Sequence, residues 1–188
     1  MTFNQILKTR DNSKKLEVGN QVFTNENISE KNLSMSIFWN LNFSKINFSN
    51  VNFSGSYFNN CKFVKCTFDK TILRKCELTD STFKDCKITN SSFAKIDFDN
   101  SFFIDCQLHT VNLGWSYYSD CRVKKTKFDN VNFEGATFSD LEIKDITLSN
   151  SRFNDSFPTK FYKSNLNNPI EVKSQLDFEL ILKTYQSL

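Results

Sequence analysis

Histidine is all but missing from this chain: of 188 residues, only His109 is one. With a single imidazole, no His-His or Cys-His spacing can hold a metal, and no nucleophile is paired with a base along the sequence. Glycine is scarce as well, at four residues, and no Gly-rich phosphate loop is present. These absences argue against catalysis, so neither an enzyme nor a cofactor is expected. Proline occurs twice and no apolar stretch approaches the length of a membrane helix, so no membrane contact is expected. The first residues, Met1 to Lys8, lack the long apolar run of a secretory signal, and the expected location is cytoplasmic. Net charge is small, +3, which by itself names no partner.

What the chain does have is a period. From Phe23 to Phe153 every fifth residue is apolar, 27 in succession, beginning Phe23, Ile28, Leu33, Phe38, Phe43 and ending Phe138, Ile143, Leu148, Phe153. Neither the 3.6-residue repeat of a helix nor the two-residue repeat of a strand keeps a period of five on one face over such a length. A fixed period sustained this long means a solenoid.

A second column stands two residues before the first. From Ser36 to Ser151 its 24 members are small or apolar and none is charged; every Asp, Glu, Lys and Arg between Asn32 and Asp155 falls in the other three positions of the unit. Two positions in five therefore point inward. All six cysteines, Cys61, Cys66, Cys76, Cys86, Cys106 and Cys121, belong to this second column, and no CxxC pair exists. They read as small core residues with free thiols.

Units such as Val51-Asn52-Phe53-Ser54-Gly55 and Val131-Asn132-Phe133-Glu134-Gly135 resemble the pentapeptide-repeat family, and the resemblance covers about residues 21 to 156. It implies an all-β solenoid, a right-handed quadrilateral β-helix with four units and 20 residues to a coil. At that size the repeat makes about 6.5 coils, roughly 31 Å of rod at ~4.8 Å per coil. Residues 1–20 are expected to form an N-terminal cap segment, because Gln21, Glu26 and Lys31 put polar groups in the inward column of the first coil. Residues 157–188 read as a linker and a C-terminal amphipathic helix. There Asp177 can cap a helix with Phe178, Ile181, Leu182 and Tyr185 on one face, either folded over the last coil or making a homodimer.

Twenty residues to a coil sort the outward side chains onto four faces. The face centred on Phe38, Phe58, Leu78, Phe98, Tyr118 and Phe138 carries Glu77, Asp80, Asp97, Asp99, Asp120 and Asp140 and no Lys or Arg. The next face carries Lys45, Lys62, Lys65, Lys84, Arg122, Lys124, Lys125 and Lys144 against four acids. Acids and bases balance over residues 24 to 156, 16 to 16, so the separation is invisible in the total. A one-sided row of carboxylates on a rigid rod has the charge pattern of duplex DNA.

The chain looks like the branch of the family that holds the fluoroquinolone-resistance (Qnr) proteins and the immunity proteins against microcin and albicidin. That resemblance implies DNA gyrase or topoisomerase IV as protein partner, DNA mimicry as mechanism, and a dimer made by the C-terminal helix. No direct contact with nucleic acid is expected, Lys124, Lys125 and Lys127 being read as a solvated cluster. Many Qnr proteins bear projecting loops; the unbroken register here leaves none. The competing expectation is a scaffold or effector whose coil surface binds an unrelated protein. Trp39, Tyr57 and Tyr117 border the acidic face and Trp115 sits on a turn, which favours a protein as partner in either case.

Overall fold

A computed structural model describes residues 1–11, 14–158, 161–163 and 170–172; the expected helix bearing Phe178, Ile181, Leu182 and Tyr185 lies outside them. The described chain winds as a four-sided β-helix in which residue n lies over residue n+20, as in the pairs Phe38↔Phe58 and Leu78↔Phe98. Three sides are parallel sheets of very short strands. The first sheet runs from Glu17–Gly19 through Ile37–Trp39, Tyr57–Asn59, Glu77–Thr79, Asp97–Asp99, Tyr117–Ser119 and Thr137–Ser139 to Phe157–Pro158. The second runs from Val22–Thr24 to Phe161–Lys163, and the third from Asn27–Ser29 to Thr147–Ser149. The fourth side is not a full sheet: its coils meet through single bridges such as Asn32↔Asn52 and Ile72↔Ser92, joined by turns that close with bonds like Ser56 N to Phe53 O at 3.0 Å.

The corners explain how three-residue strands can follow one another at right angles. From Asn20 to Asp155 the fifth residue of each unit turns the chain with φ between 44° and 68°. Asn, Asp and Gly adopt this left-handed conformation at least cost, and they fill 18 of the 28 corner positions. Backbone groups then bond coil to coil in both directions, for example Tyr57 N to Ser36 O at 2.9 Å and Asn60 N to Thr79 O at 2.9 Å.

Inside, the first column forms a stacked aromatic core. Phe43, Phe63, Phe83 and Phe103 lie one above another with centroids 5.2, 4.8 and 4.9 Å apart and rings tilted by no more than 14°. Between sides the rings meet edge to face, as at Phe48 and Phe53, 5.5 Å and 77°. The second column tolerates hydroxyls and thiols because most find a carbonyl of the coil before: Ser101 Oγ donates to Leu78 O at 3.1 Å and Cys76 Sγ to Phe53 O at 3.1 Å. The buried Ser36 hydroxyl has no such partner among the described residues.

Both ends extend beyond the expected limits of the repeat. Glu17–Gly19 already pairs with Ile37–Trp39, so the ladder starts ahead of residue 21, with Leu16 and Val18 buried as the first inward pair. The helix Phe3–Thr9 closes that end, capped by Thr2 and Gln5 in a reciprocal box. Phe3 is fully buried and enters the core 5.0 Å from Phe23 and 5.5 Å from Phe43. Glu26 is polar in an inward column because its carboxylate accepts from Phe3 N at 2.8 Å and Asn4 N at 2.9 Å, holding the start of the helix. At the other end the chain does not leave the rod at Ser156: Phe161–Lys163 continues the second sheet, and Ile170–Val172 ends it as an antiparallel strand.

One core position departs from the pattern. Tyr118 takes the place of Phe, only 3% exposed, and its hydroxyl has no hydrogen-bond partner among the described residues. It stands beside an apolar cavity of about 40 Å³ where Leu113 and Val123 replace larger rings. Chemical denaturation should separate the two kinds of core site. Phe83→Ala, at a position with 0% exposure, is expected to cost about 3–5 kcal/mol through lost stacking and a new void. Tyr118→Phe is expected to stabilise by about 1 kcal/mol, because it removes a buried, unpaired hydroxyl and keeps the ring.

Candidate partner-binding face

The first sheet brings all six acidic candidates to one side of the rod, in two different settings. Glu77, Asp97 and Asp99 are strand residues, exposed on either side of buried Leu78 and Phe98, with Glu77 and Asp97 in direct register. Asp80, Asp120 and Asp140 are corner residues, at φ 53°, 52° and 55°. Their column begins as an amide ladder, Asn60 Nδ2 donating to Asn40 Oδ1 and Asn40 Nδ2 to Asn20 Oδ1, both at 2.9 Å. It continues with Asn100 Nδ2 donating to Asp80 Oδ1 at 2.6 Å, and with Ser119 and Ser139 donating to Asp120 and Asp140 at 3.3 Å. Half of the acidic row is thus also a backbone device. That link was visible in the sequence as the excess of Asn, Asp and Gly in the fifth position.

Among the described residues, Glu77, Asp80, Asp97, Asp99 and Asp120 have no Lys or Arg within 4.0 Å. The face is not free of cations at its border, however. The corner leading into it holds Lys75 and Lys95, two residues before Glu77 and Asp97. The half of the face nearest the N-terminal helix has one exposed acid, Glu17, and is otherwise aromatic: Trp39 covers Gly19, and Tyr57 carries the Lys15 ammonium 5.4 Å from its ring centroid.

The second sheet holds the basic residues. Arg122 lies on the Phe102 ring, 5.4 Å away, and pairs with Glu142 at 3.1 Å, while Lys124 and Lys144 stand in register with like charge. On the third sheet His109 Nδ1 lies 2.8 Å from Asp129 Oδ2, on an exposed surface. Asp129 is held below the ordinary carboxylate range, first by the Ser149 hydroxyl and then by Asn150 and His109. The histidine is thus a surface group beside a carboxylate one coil further on.

A coil of four five-residue sides, stacked at a 20-residue register, defines a quadrilateral β-helix built on pentapeptides. The model of a pentapeptide repeat region matches residues 36–113 and 76–157, and the chain belongs to the pentapeptide-repeat family. Among solved structures it is similar to HetL, a pentapeptide repeat protein involved in heterocyst differentiation regulation from the cyanobacterium Nostoc sp. strain PCC 7120. The identity is 15% over 83% of this chain and 70% of that one, with a TM-score of 0.51. It is also similar to QnrB1, a plasmid-mediated fluoroquinolone resistance protein, at 14% identity over 89% of this chain and 98% of that one, with a TM-score of 0.47. At these identities the likeness is one of fold. No curated protein matches the chain.

Other chemistry-bearing groups are few. Among the described residues no cluster of His, Cys, Asp and Glu is arranged to hold a metal ion, and no helix is long and apolar enough to cross a membrane. The six thiols are free and buried. Burial pushes Cys61 up to about 11 and both Cys76 and Cys121 up to about 12, which keeps them as unreactive thiols at neutral pH. Because all six are buried, an aromatic disulfide reagent should titrate none of the six cysteines in the folded protein within minutes and all six in denaturant.

Proposed function

We propose that the protein is a non-enzymatic DNA-mimic rod that binds DNA gyrase or topoisomerase IV, and that it protects them from an antibiotic or peptide toxin. The observation that carries this reading is the acid row of the first sheet, Glu77, Asp80, Asp97, Asp99, Asp120 and Asp140, spread over four successive coils with no base among the strands and corners that bear it. Duplex DNA offers a rod of closely spaced negative charge, and a stiff stack of carboxylates at ~4.8 Å intervals can enter a basic DNA-binding saddle in its place. The family resemblance supplies the class of enzyme that owns such a saddle. The basic second sheet requires a defined orientation, with the first sheet turned toward the partner. Phe178, Ile181, Leu182 and Tyr185 belong to the same proposal as the contact that makes a homodimer, which would double the length of the acidic row. The location proposed with this reading is cytoplasmic, where topoisomerases work.

Reversing Asp80, Asp97, Asp99, Asp120 and Asp140 to Lys tests it. The fold should survive, because Lys already occupies left-handed corners at Lys45, Lys65, Lys75, Lys95 and Lys125. Affinity for purified gyrase should fall by about a hundredfold or more, and the effect of the wild-type protein on gyrase supercoiling, with or without a fluoroquinolone or peptide toxin, should disappear. Full retention of gyrase binding by the reversed variant, or none by the wild type, would sink the reading.

A further inference from the structure

Four of the seven exposed large hydrophobic residues among those described gather along one edge of the rod, where the fourth side turns into the first sheet. Met35, Tyr57, Trp115 and Tyr117 stand there with 60, 43, 62 and 43% of their surface exposed. The strand column along this edge reads Tyr57, Glu77, Asp97, Tyr117 in unbroken register. Two carboxylates are thus bracketed by two tyrosines about 14 Å apart, three coils at ~4.8 Å each.

The corner column beside it is equally unusual. Trp115 and Met35 turn the chain at φ 58° and 57°, a conformation that bulky side chains rarely adopt. Each lies over a glycine of the next coil: a Cβ at Gly135 would come within 2.6 Å of the indole, and one at Gly55 within 2.6 Å of the Met35 sulfur. Two glycines give up their side chains so that an indole and a thioether can lie along the surface, and burial offsets little of that cost since both stay exposed. The left-handed turn is common to all 28 corners; what is particular to these two is a large apolar side chain left exposed at it, which suits a contact rather than the fold. Tyr57 already shows what its ring accepts, since the Lys15 ammonium sits over it.

Resting on the topoisomerase reading above, we infer that this aromatic edge is the anchor by which the rod grips its protein partner. The partner surface that fits is a basic one carrying an arginine or lysine beside an apolar pocket. The cation meets Glu77 and Asp97, a tyrosine ring borders the two carboxylates at each end of the column, and the Trp115 indole enters the pocket. The acid row of a DNA mimic attracts any cationic surface, whereas buried Trp and Tyr select one surface and slow its release.

The test uses two separate substitutions that the fold itself sanctions. Trp115→Asn installs the commonest corner residue, and Tyr117→Thr installs the residue that Thr137 supplies at the next register position. Each is expected to leave the melting temperature unchanged or raised and to weaken binding of purified gyrase by at least about tenfold, the scale of an interface hot spot. The loss should persist when salt is raised enough to weaken the wild-type interaction. Wild-type affinity in both variants, alongside loss of binding in the acid-to-lysine variant, overturns the inference and leaves the topoisomerase reading standing. Absence of gyrase binding by the wild-type protein removes both. Should Trp115→Asn lower stability, the indole serves the fold and Tyr117→Thr decides.

Discussion

Everything in this rod depends on residue n lying over residue n+20, and that stacking depends on a left-handed residue at every corner. A chain of L-residues left to itself does not turn every five residues in the same sense; it does so here because the fifth residue of each unit has positive φ and corner amides along the rod are held by the coil that follows, as Asn40 N is by Asn59 O at 2.9 Å. The core then follows without further specification. Rings of one column fall into stacks, rings of adjacent sides meet at their edges, and the small second column fills the space beside them while its hydroxyls and thiols bond to carbonyls of the coil before.

Because the architecture is a repeat, most of it was legible before any coordinates. The two inward columns, the burial of all six cysteines and the sorting of outward residues onto four sides all come from counting in fives. What counting did not disclose lies where the repeat is broken or where backbone and side chain share a position. Glu26 reads as a defect in an inward column, yet it anchors the helix that brings Phe3 into the core, a contact between residues whose partnership no period announces. The fourth side has the same spacing as the others but forms turns; in three of its coils Asn52, Asn112 and Asn132 brace the turn by accepting from the backbone two residues ahead, at 2.9, 2.9 and 3.0 Å, while Ile72, Ser92 and Arg152 hold the same position without such a bond.

The candidate face shows the same overlap. Asp80, Asp120 and Asp140 satisfy the corner and contribute to the field at once, whereas Glu77, Asp97 and Asp99 have no backbone duty. The strand acids are therefore the more informative half of the row. The column of Glu77 and Asp97 leads, coil by coil, to the two exposed tyrosines, while the cations at the border, Lys75 and Lys95, occupy corner positions. A sequence total of charge, or even a total per face, mixes these groups; register separates them.

The five-residue unit also sets how the molecule can change length. Adding or removing 20 residues between the two ends returns every outward column to its own side, so the rod grows or shrinks by whole coils with its charge pattern intact. Adding or removing five residues preserves the core equally well, since one phenylalanine stack is as good a platform as another, yet it turns all that follows by a quarter. After an addition the carboxylates beyond it would continue the lysine-bearing second side, and after a removal the fourth. Packing does not distinguish these two edits, and only the surface records which has taken place.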